Sequence, residues 1–135
     1  MYVVPIEVRL SDIDGQGVFA LQNIAQGRVV WQFVPAHDKS MTPNERAKLS
    51  EEQRTALDRI AYLSTESHTY IFPPDEDPAR YTNHSENNNL SVRIDKQISP
   101  EPFFFANRDI IKGEELTNNY KEFDSKAAPL EWLNK

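Results

Sequence analysis

A chain of 135 residues, 39% hydrophobic and 27% charged, fits one domain around a single core, and no apolar run approaches the length of a membrane span. The absence of cysteine excludes disulfides and every thiolate zinc site, and His37, His68 and His84 are too scattered for a metal-ligand pattern. With 15 basic and 21 acidic residues the net charge is −6, the wrong sign for binding nucleic acid through its phosphates and better suited to a basic polypeptide partner.

The stretch Met1-Tyr2-Val3-Val4-Pro5 has neither a basic segment nor a long apolar one, so a cytoplasmic or other intracellular site is expected. Val3 to Leu10 is rich in β-branched residues and predicts a first strand ending at Ser11-Asp12-Ile13-Asp14-Gly15. Gly15-Gln16-Gly17 permits a sharp bend before a short strand from Val18 to Leu21. Asn23 to Gly27 is a second turn and Val29 to Val34 a third strand. In Thr42-Pro43-Asn44-Glu45 a capping threonine precedes proline at the first helical position and glutamate three residues after the cap. Ser50-Glu51-Glu52-Gln53 repeats that logic ahead of Ala56, Leu57, Ile60 and Leu63 at helical spacing. A short helix and then an amphipathic one are expected, together an insertion over about 42–64. Thr69 to Phe72 reads as a strand stopped by Pro73-Pro74, with acidic Asp75 to Pro78 as a surface connection.

Arg80-Tyr81-Thr82-Asn83-His84-Ser85-Glu86-Asn87-Asn88-Asn89 is polar, free of glycine and followed by the strand-like run Leu90 to Ile94. Asn and Ser bond locally to the backbone, so the stretch predicts a tightly bonded loop between strands, the kind of element that carries function. Phe103 to Ala106 is a further strand. Ala20 to Val30 and Ala106 to Leu116 echo each other, each with an Ile followed three residues later by Gly and then strand-like sequence. Each copy is expected to anchor its isoleucine in the core and re-enter a sheet through a glycine turn; two copies are too few for a solenoid. Ser125 to Lys135 reads as a short terminal helix or an ordered tail carrying Trp132. Taken alone, Gly15-Gln16-Gly17 is a turn, His84 a hydrogen-bonded structural histidine and Tyr120 a half-buried rim residue.

Taken in order, Gly15-Gln16-Gly17, the Arg80 to Asn89 loop and Gly113-Glu114-Glu115-Leu116-Thr117-Asn118-Asn119-Tyr120 resemble the motifs of SET-domain protein lysine methyltransferases. The loop is similar to R-F-x-N-H-S-x-x-P-N and the last motif to E-L-x-x-D-Y, over about Val8 to Asp124. The resemblance implies a mainly β (α+β) fold of short strands in small sheets, with knot-like threading of the C-terminal part and a tail over about 121–135 that closes the site. It implies S-adenosylmethionine as cofactor, held by Gly15, Gln16, Gly17, Arg80, Asn83 and His84, with Tyr120 as the catalytic tyrosine and Tyr70 as a candidate second channel tyrosine. For Tyr70 core packing is an equal alternative. Trp132 either covers the adenine or the lysine channel or anchors a terminal helix. The chain departs from the family at Asn88 in place of proline, Asn119 in place of aspartate, Asn118 in place of an often aromatic residue, and Val92 at the position that often controls the number of methyl groups. The compact form without a cysteine-rich closing segment is similar to bacterial and viral members.

The reaction so implied is methyl transfer to the side-chain amine of a lysine in a protein substrate rich in lysine, with no nucleic acid, membrane or metal involved. A protein for this reaction mainly supplies orientation and a dry channel, and a neighbouring sulfonium favours the neutral form of an amine whose ordinary pKa is about 10.4. Two rivals stand beside it: a non-catalytic SET-like module for protein binding or dimerisation, which the Asn and Val departures favour, and a plain β-rich ligand-binding domain. A homodimer that completes its own pocket is left open.

Overall fold

The computed structural model describes residues 1–124; the expected tail from Ser125, and with it Trp132, lies outside the described residues. In chain order the elements are β1 (Ile6–Leu10), β2 (Gln16–Ala20), β3 (Val29–Trp31), β4 (Lys39–Met41), α1 (Pro43–Ala47), α2 (Glu51–Ile60), β5 (Tyr62–Leu63), β6 (Tyr70–Phe72), β7 (Asn83–His84), β8 (Leu90–Arg93), β9 (Phe103–Ala106) and β10 (Glu115–Asn118). Short 3-10 turns at Pro78–Tyr81 and Tyr120–Glu122 respectively precede β7 and follow β10. The architecture is mainly β, as expected, and its strands make three small sheets in the orders β1-β2-β10-β7, β3-β9-β8 and β4-β6-β5.

Both helices start where their capping residues stand. Thr42 Oγ1 accepts from Glu45 N while the Glu45 carboxylate accepts from Thr42 N, and Ser50 and Gln53 exchange the same pair of bonds. Each cap satisfies donors that helix geometry leaves unpaired and is worth about 1 kcal/mol. Strands β4 and β5 are additions to the sequence reading. Lys39-Ser40-Met41 and Tyr62-Leu63 are too short to show alternation, and they form because β6 offers each of them one of its two edges. The helical insertion thereby gains its own small core of Leu57, Ala61 and Tyr70, with Met41, Leu49, Leu63 and Phe72 around it.

The main core gathers Val18, Ala20, Ile24, Val30, Trp31, Leu90, Phe104, Ala106, Ile110, Leu116 and Phe123. At its centre the two echoed segments bond to each other reciprocally. Ile24 N donates to Ile110 O and Ile110 N to Ile24 O, both at 2.8 Å, and each isoleucine is 1% exposed. Gly27 N donates to Ala106 O at 2.7 Å while Gly113 N donates to Ala20 O at 2.8 Å. The side chains follow suit: Lys112 N donates to Asn23 Oδ1 and Gln26 N to Asp109 Oδ1. Gly27 and Gly113 have φ of 92° and 95°, a region that disfavours any residue with a Cβ. The result is a two-fold clasp that joins β2 and β3 to β9 and β10 and fixes the start of β10, the strand on which the sequence motifs converge.

Candidate functional site

The site is built on β7 and β10, which run parallel with Asn83 beside Thr117 and His84 beside Asn118. Parallel pairing needs no hairpin, so it brings together two motifs far apart in the chain. Asn89, 2% exposed, secures this crossing. Its Nδ2 donates to Glu115 O at 2.8 Å and its Oδ1 accepts from Thr117 N at 2.9 Å. Asn88, where the family motif has proline, donates from Nδ2 to Leu90 O and to the Glu122 carboxylate, both at 2.8 Å. Side-chain bonds thus hold the loop where a ring is missing.

On one side of β7 the Asn83 amide meets the β1–β2 turn. Its Nδ2 lies 3.1 Å from Asp14 O, Gln16 O and Ser11 Oγ and 2.8 Å from Glu115 Oε2, although Gln16 is 67 positions away in sequence. Ser11 Oγ donates to the other carboxylate oxygen of Glu115 at 2.6 Å. Gly17 lies inside β2 for a steric reason: a Cβ there would overlap the Glu115 carboxylate, coming within 2.8 Å of its Cδ. Gly15 takes the bend of the turn at φ 49° and accepts Ser11 N at its carbonyl. The cluster is therefore rich in acceptors, two carbonyls and a carboxylate, and suits a cationic ligand group approaching close to backbone.

On the other side the chain borders a cavity of about 290 Å³. Tyr120, 37% exposed, lines it, and three contacts fix its position. Its hydroxyl donates to Thr82 O at 3.1 Å, its backbone N donates to His84 Nδ1 at 3.1 Å, and its ring lies 5.0 Å from the His84 ring. The bond at Nδ1 leaves Nε2 as the protonated nitrogen of the neutral His84 ring. Asn119, in place of the family's aspartate, caps the turn that begins at Tyr120 by accepting Lys121 N at 3.1 Å. The cavity wall is aromatic: Phe123 makes edge contacts with Phe104 at 4.8 Å, Tyr62 at 5.3 Å and Tyr120 at 6.0 Å, and Trp31 meets Phe104 at 5.4 Å. Such faces attract cations while excluding water. Burial, followed by the negative charges of Asp124 and Asp14, raises the Tyr120 pKa, and burial followed by Glu101 raises that of Tyr62, whose hydroxyl donates to Glu101 at 3.2 Å. Tyr2 is shifted up in the same direction by burial. All three phenols remain protonated at neutral pH.

The residues expected from sequence fall into two groups. Gly15, Gln16, Gly17 and Asn83 meet at the Glu115 cluster, and His84 joins that cluster to Tyr120 through the same strand. Arg80 stands apart from the cluster, on the cavity wall, carried by the turn Pro78–Tyr81. Tyr70 packs in the small core of the insertion beneath the Arg46 guanidinium, 5.2 Å from its ring, and is not among the residues lining the cavity. Tyr62, one register pair away on β5, lines it instead. Val92 packs against the main core, and its pairing partner Phe104 reaches the cavity. The end of α2 supplies Asp58, Arg59 and Ile60 to the rim, so the insertion borders the cavity. Sequence reading missed Ser11, Tyr2, Tyr62, Glu115 and Phe123 as site residues. Of these only Glu115 carried a signal, since it opens the motif that ends at Tyr120.

The family model described as SET domain matches residues 15–121. Among solved structures, the chain is similar to a Plasmodium falciparum protein assigned as a histone methyltransferase, with TM-score 0.58 and 18% sequence identity over 87% of this chain and 93% of that one. No curated protein matches the sequence. The match spans the Gly15 turn, the Asn83 loop and Tyr120, the parts that the clasp and the β7–β10 crossing bring together: the chain belongs to the SET-domain family.

Proposed function

We propose that the protein is an S-adenosylmethionine-dependent lysine N-methyltransferase acting on basic proteins. The observation that supports this reading above others is the two-sided strand: Asn83 joins an acceptor-rich cluster with Gln16 and Glu115, while Thr82, its neighbour in sequence, receives the Tyr120 hydroxyl at the aromatic cavity. A cationic cofactor fits beside this cluster, because Asp14 O, Gln16 O and the Glu115 carboxylate offer acceptors and the space over Gly15 is open. Gly15, Gln16, Gly17, Asn83 and His84 would hold it. Bound there, S-adenosylmethionine supplies an electrophilic methyl group on a positively charged sulfur.

The chain's own residues then have to receive an amine, help it lose a proton and point its lone pair. Tyr120 directs its proton to Thr82 O, so its phenol oxygen keeps lone pairs for an amine N–H. The aromatic wall of Trp31, Phe104, Phe123 and Tyr62 admits a cationic side chain, removes water around it and thereby favours the neutral amine. The net charge of −6 favours basic proteins as substrates by attraction at a distance. The test is incubation with labelled S-adenosylmethionine and a mixture of lysine-rich proteins, followed by proteolysis to locate the label. Label on lysine side-chain nitrogens is expected. Cofactor binding with no label on any basic protein would instead support a non-catalytic module that keeps the pocket.

A further inference from the structure

Tyr2 enters the cavity from a part of the chain to which no motif points. Its backbone forms a β-bridge with Trp31, flanked by bonds from Val3 N to Val30 O at 2.8 Å and from Gln32 N to Met1 O at 3.1 Å. The side chain is therefore aimed by an ordered strand edge. Its hydroxyl lies 2.6 Å from Thr82 Oγ1, and Thr82 O is the atom that accepts from the Tyr120 hydroxyl. Two phenols lining one cavity thus meet at the two oxygens of a single threonine.

The cavity also has an acceptor to spare. Asn118 lines it, and the buried Asn118 Oδ1 has no hydrogen-bond partner among the described residues. A buried acceptor without a donor is costly, so the cavity suits a side chain that enters as an ammonium, whose three N–H groups can serve Asn118 Oδ1 and the two phenol oxygens together before one proton leaves. A neutral primary amine has two N–H donors and one lone pair. Two oxygens that each take one N–H leave the lone pair aimed in a third direction, the requirement for in-line attack.

Resting on the lysine methyltransferase reading, we propose that Tyr2 is a second substrate-contacting tyrosine of the site, its phenol oxygen and that of Tyr120 each accepting one N–H of the incoming amine. In this arrangement Tyr2 gives its proton to Thr82 Oγ1, 2.6 Å away, and keeps its lone pairs for the amine. The role belongs to the hydroxyl, and Phe at position 2 keeps the ring.

n-Butylamine, a mimic of the lysine side chain, is titrated into the native protein and Tyr2→Phe by NMR, beside transfer assays on lysine-rich proteins. The native protein is expected to bind the amine, and Tyr2→Phe to bind it at least fivefold more weakly, with lower kcat and an unchanged dissociation constant for S-adenosylmethionine. Thr82→Val, which removes the oxygen that orients Tyr2, is expected to weaken amine binding as well, and it stands in if Tyr2→Phe does not fold. Equal affinity in the native protein and the folded variants overturns the proposal, as does absence of amine binding by the native protein. Amine binding that depends on Tyr2 without methyl transfer upholds the role of Tyr2 in amine binding and sinks the transferase reading alone.

Discussion

The two echoed segments share a backbone and differ in what they carry. In both, an isoleucine is sealed in the core, a glycine turns at φ above 90°, and each copy donates to the other through equivalent atoms. After Gly27 the chain continues as Arg28-Val29-Val30-Trp31, and Val29 pairs with Phe105 as part of a packed sheet. After Gly113 it continues as Glu114-Glu115-Leu116-Thr117-Asn118. There Glu115 stands in the place of Val29, and its carboxylate takes bonds from Ser11 and Asn83. Leu116 and Val30, both 0% exposed, keep the same packing role. One turn was used twice as scaffold, and polar side chains after the second copy make the site.

If the clasp is symmetric in energy, Ile24→Ala and Ile110→Ala should each lower stability by about 2–5 kcal/mol, the cost of truncating a sealed isoleucine. Denaturant unfolding should place them within about 1 kcal/mol of each other; a loss confined to one copy would break the equivalence. Function should separate the copies where stability does not. Glu115→Ala is expected to weaken S-adenosylmethionine binding about tenfold, or about 1.4 kcal/mol, by calorimetry, whereas Val29→Ala should cost stability and leave cofactor affinity as it was. Gly27→Ala and Gly113→Ala should each cost about 1–2 kcal/mol from backbone strain, read as matched drops in melting temperature.

The smallest effect at neutral pH concerns the cavity phenols. Tyr2, Tyr62 and Tyr120 hold their protons more tightly in the folded state than the ordinary value of 10.0, chiefly through burial. Their contribution is therefore fully present below pH 10 and is lost as pH rises above it, because the unfolded chain releases protons that the folded one keeps. Stability curves should be flat in this respect up to pH 10 and fall beyond it. A phenol that titrates near neutral pH in the folded protein would contradict the burial of the cavity.

Local chemistry made the helix starts, most of the strands and the echo legible in sequence. Thr42 and Ser50 announce their caps with residues three positions on, and the glycine and isoleucine spacing shows that the two segments are alike. It does not show that they bind each other, which depends on contacts between distant parts of the chain. The Asn83 loop and the Tyr120 motif could be read as site residues because their order resembles a family. Tyr62 and Tyr2 could not be told from Tyr70 by type, since which tyrosine reaches the cavity depends on the register of β5 against β6 and on a bridge to Trp31. Asn88, Asn118 and Asn119 looked like losses in sequence. In the fold two of them brace the loop and the Tyr120 turn, and the third presents an unpaired acceptor beside the cavity.

The most direct test of the account compares the native chain with Tyr120→Phe in methyl transfer from labelled S-adenosylmethionine to lysine-rich proteins, with cofactor affinity measured on both. Transfer by the native chain is expected, with a loss of about a hundredfold or about 2.7 kcal/mol in the variant and equal cofactor affinity in both. Transfer by Tyr120→Phe at the native rate would contradict the role of that hydroxyl and, with it, the reading of the cavity as the place where the amine is held.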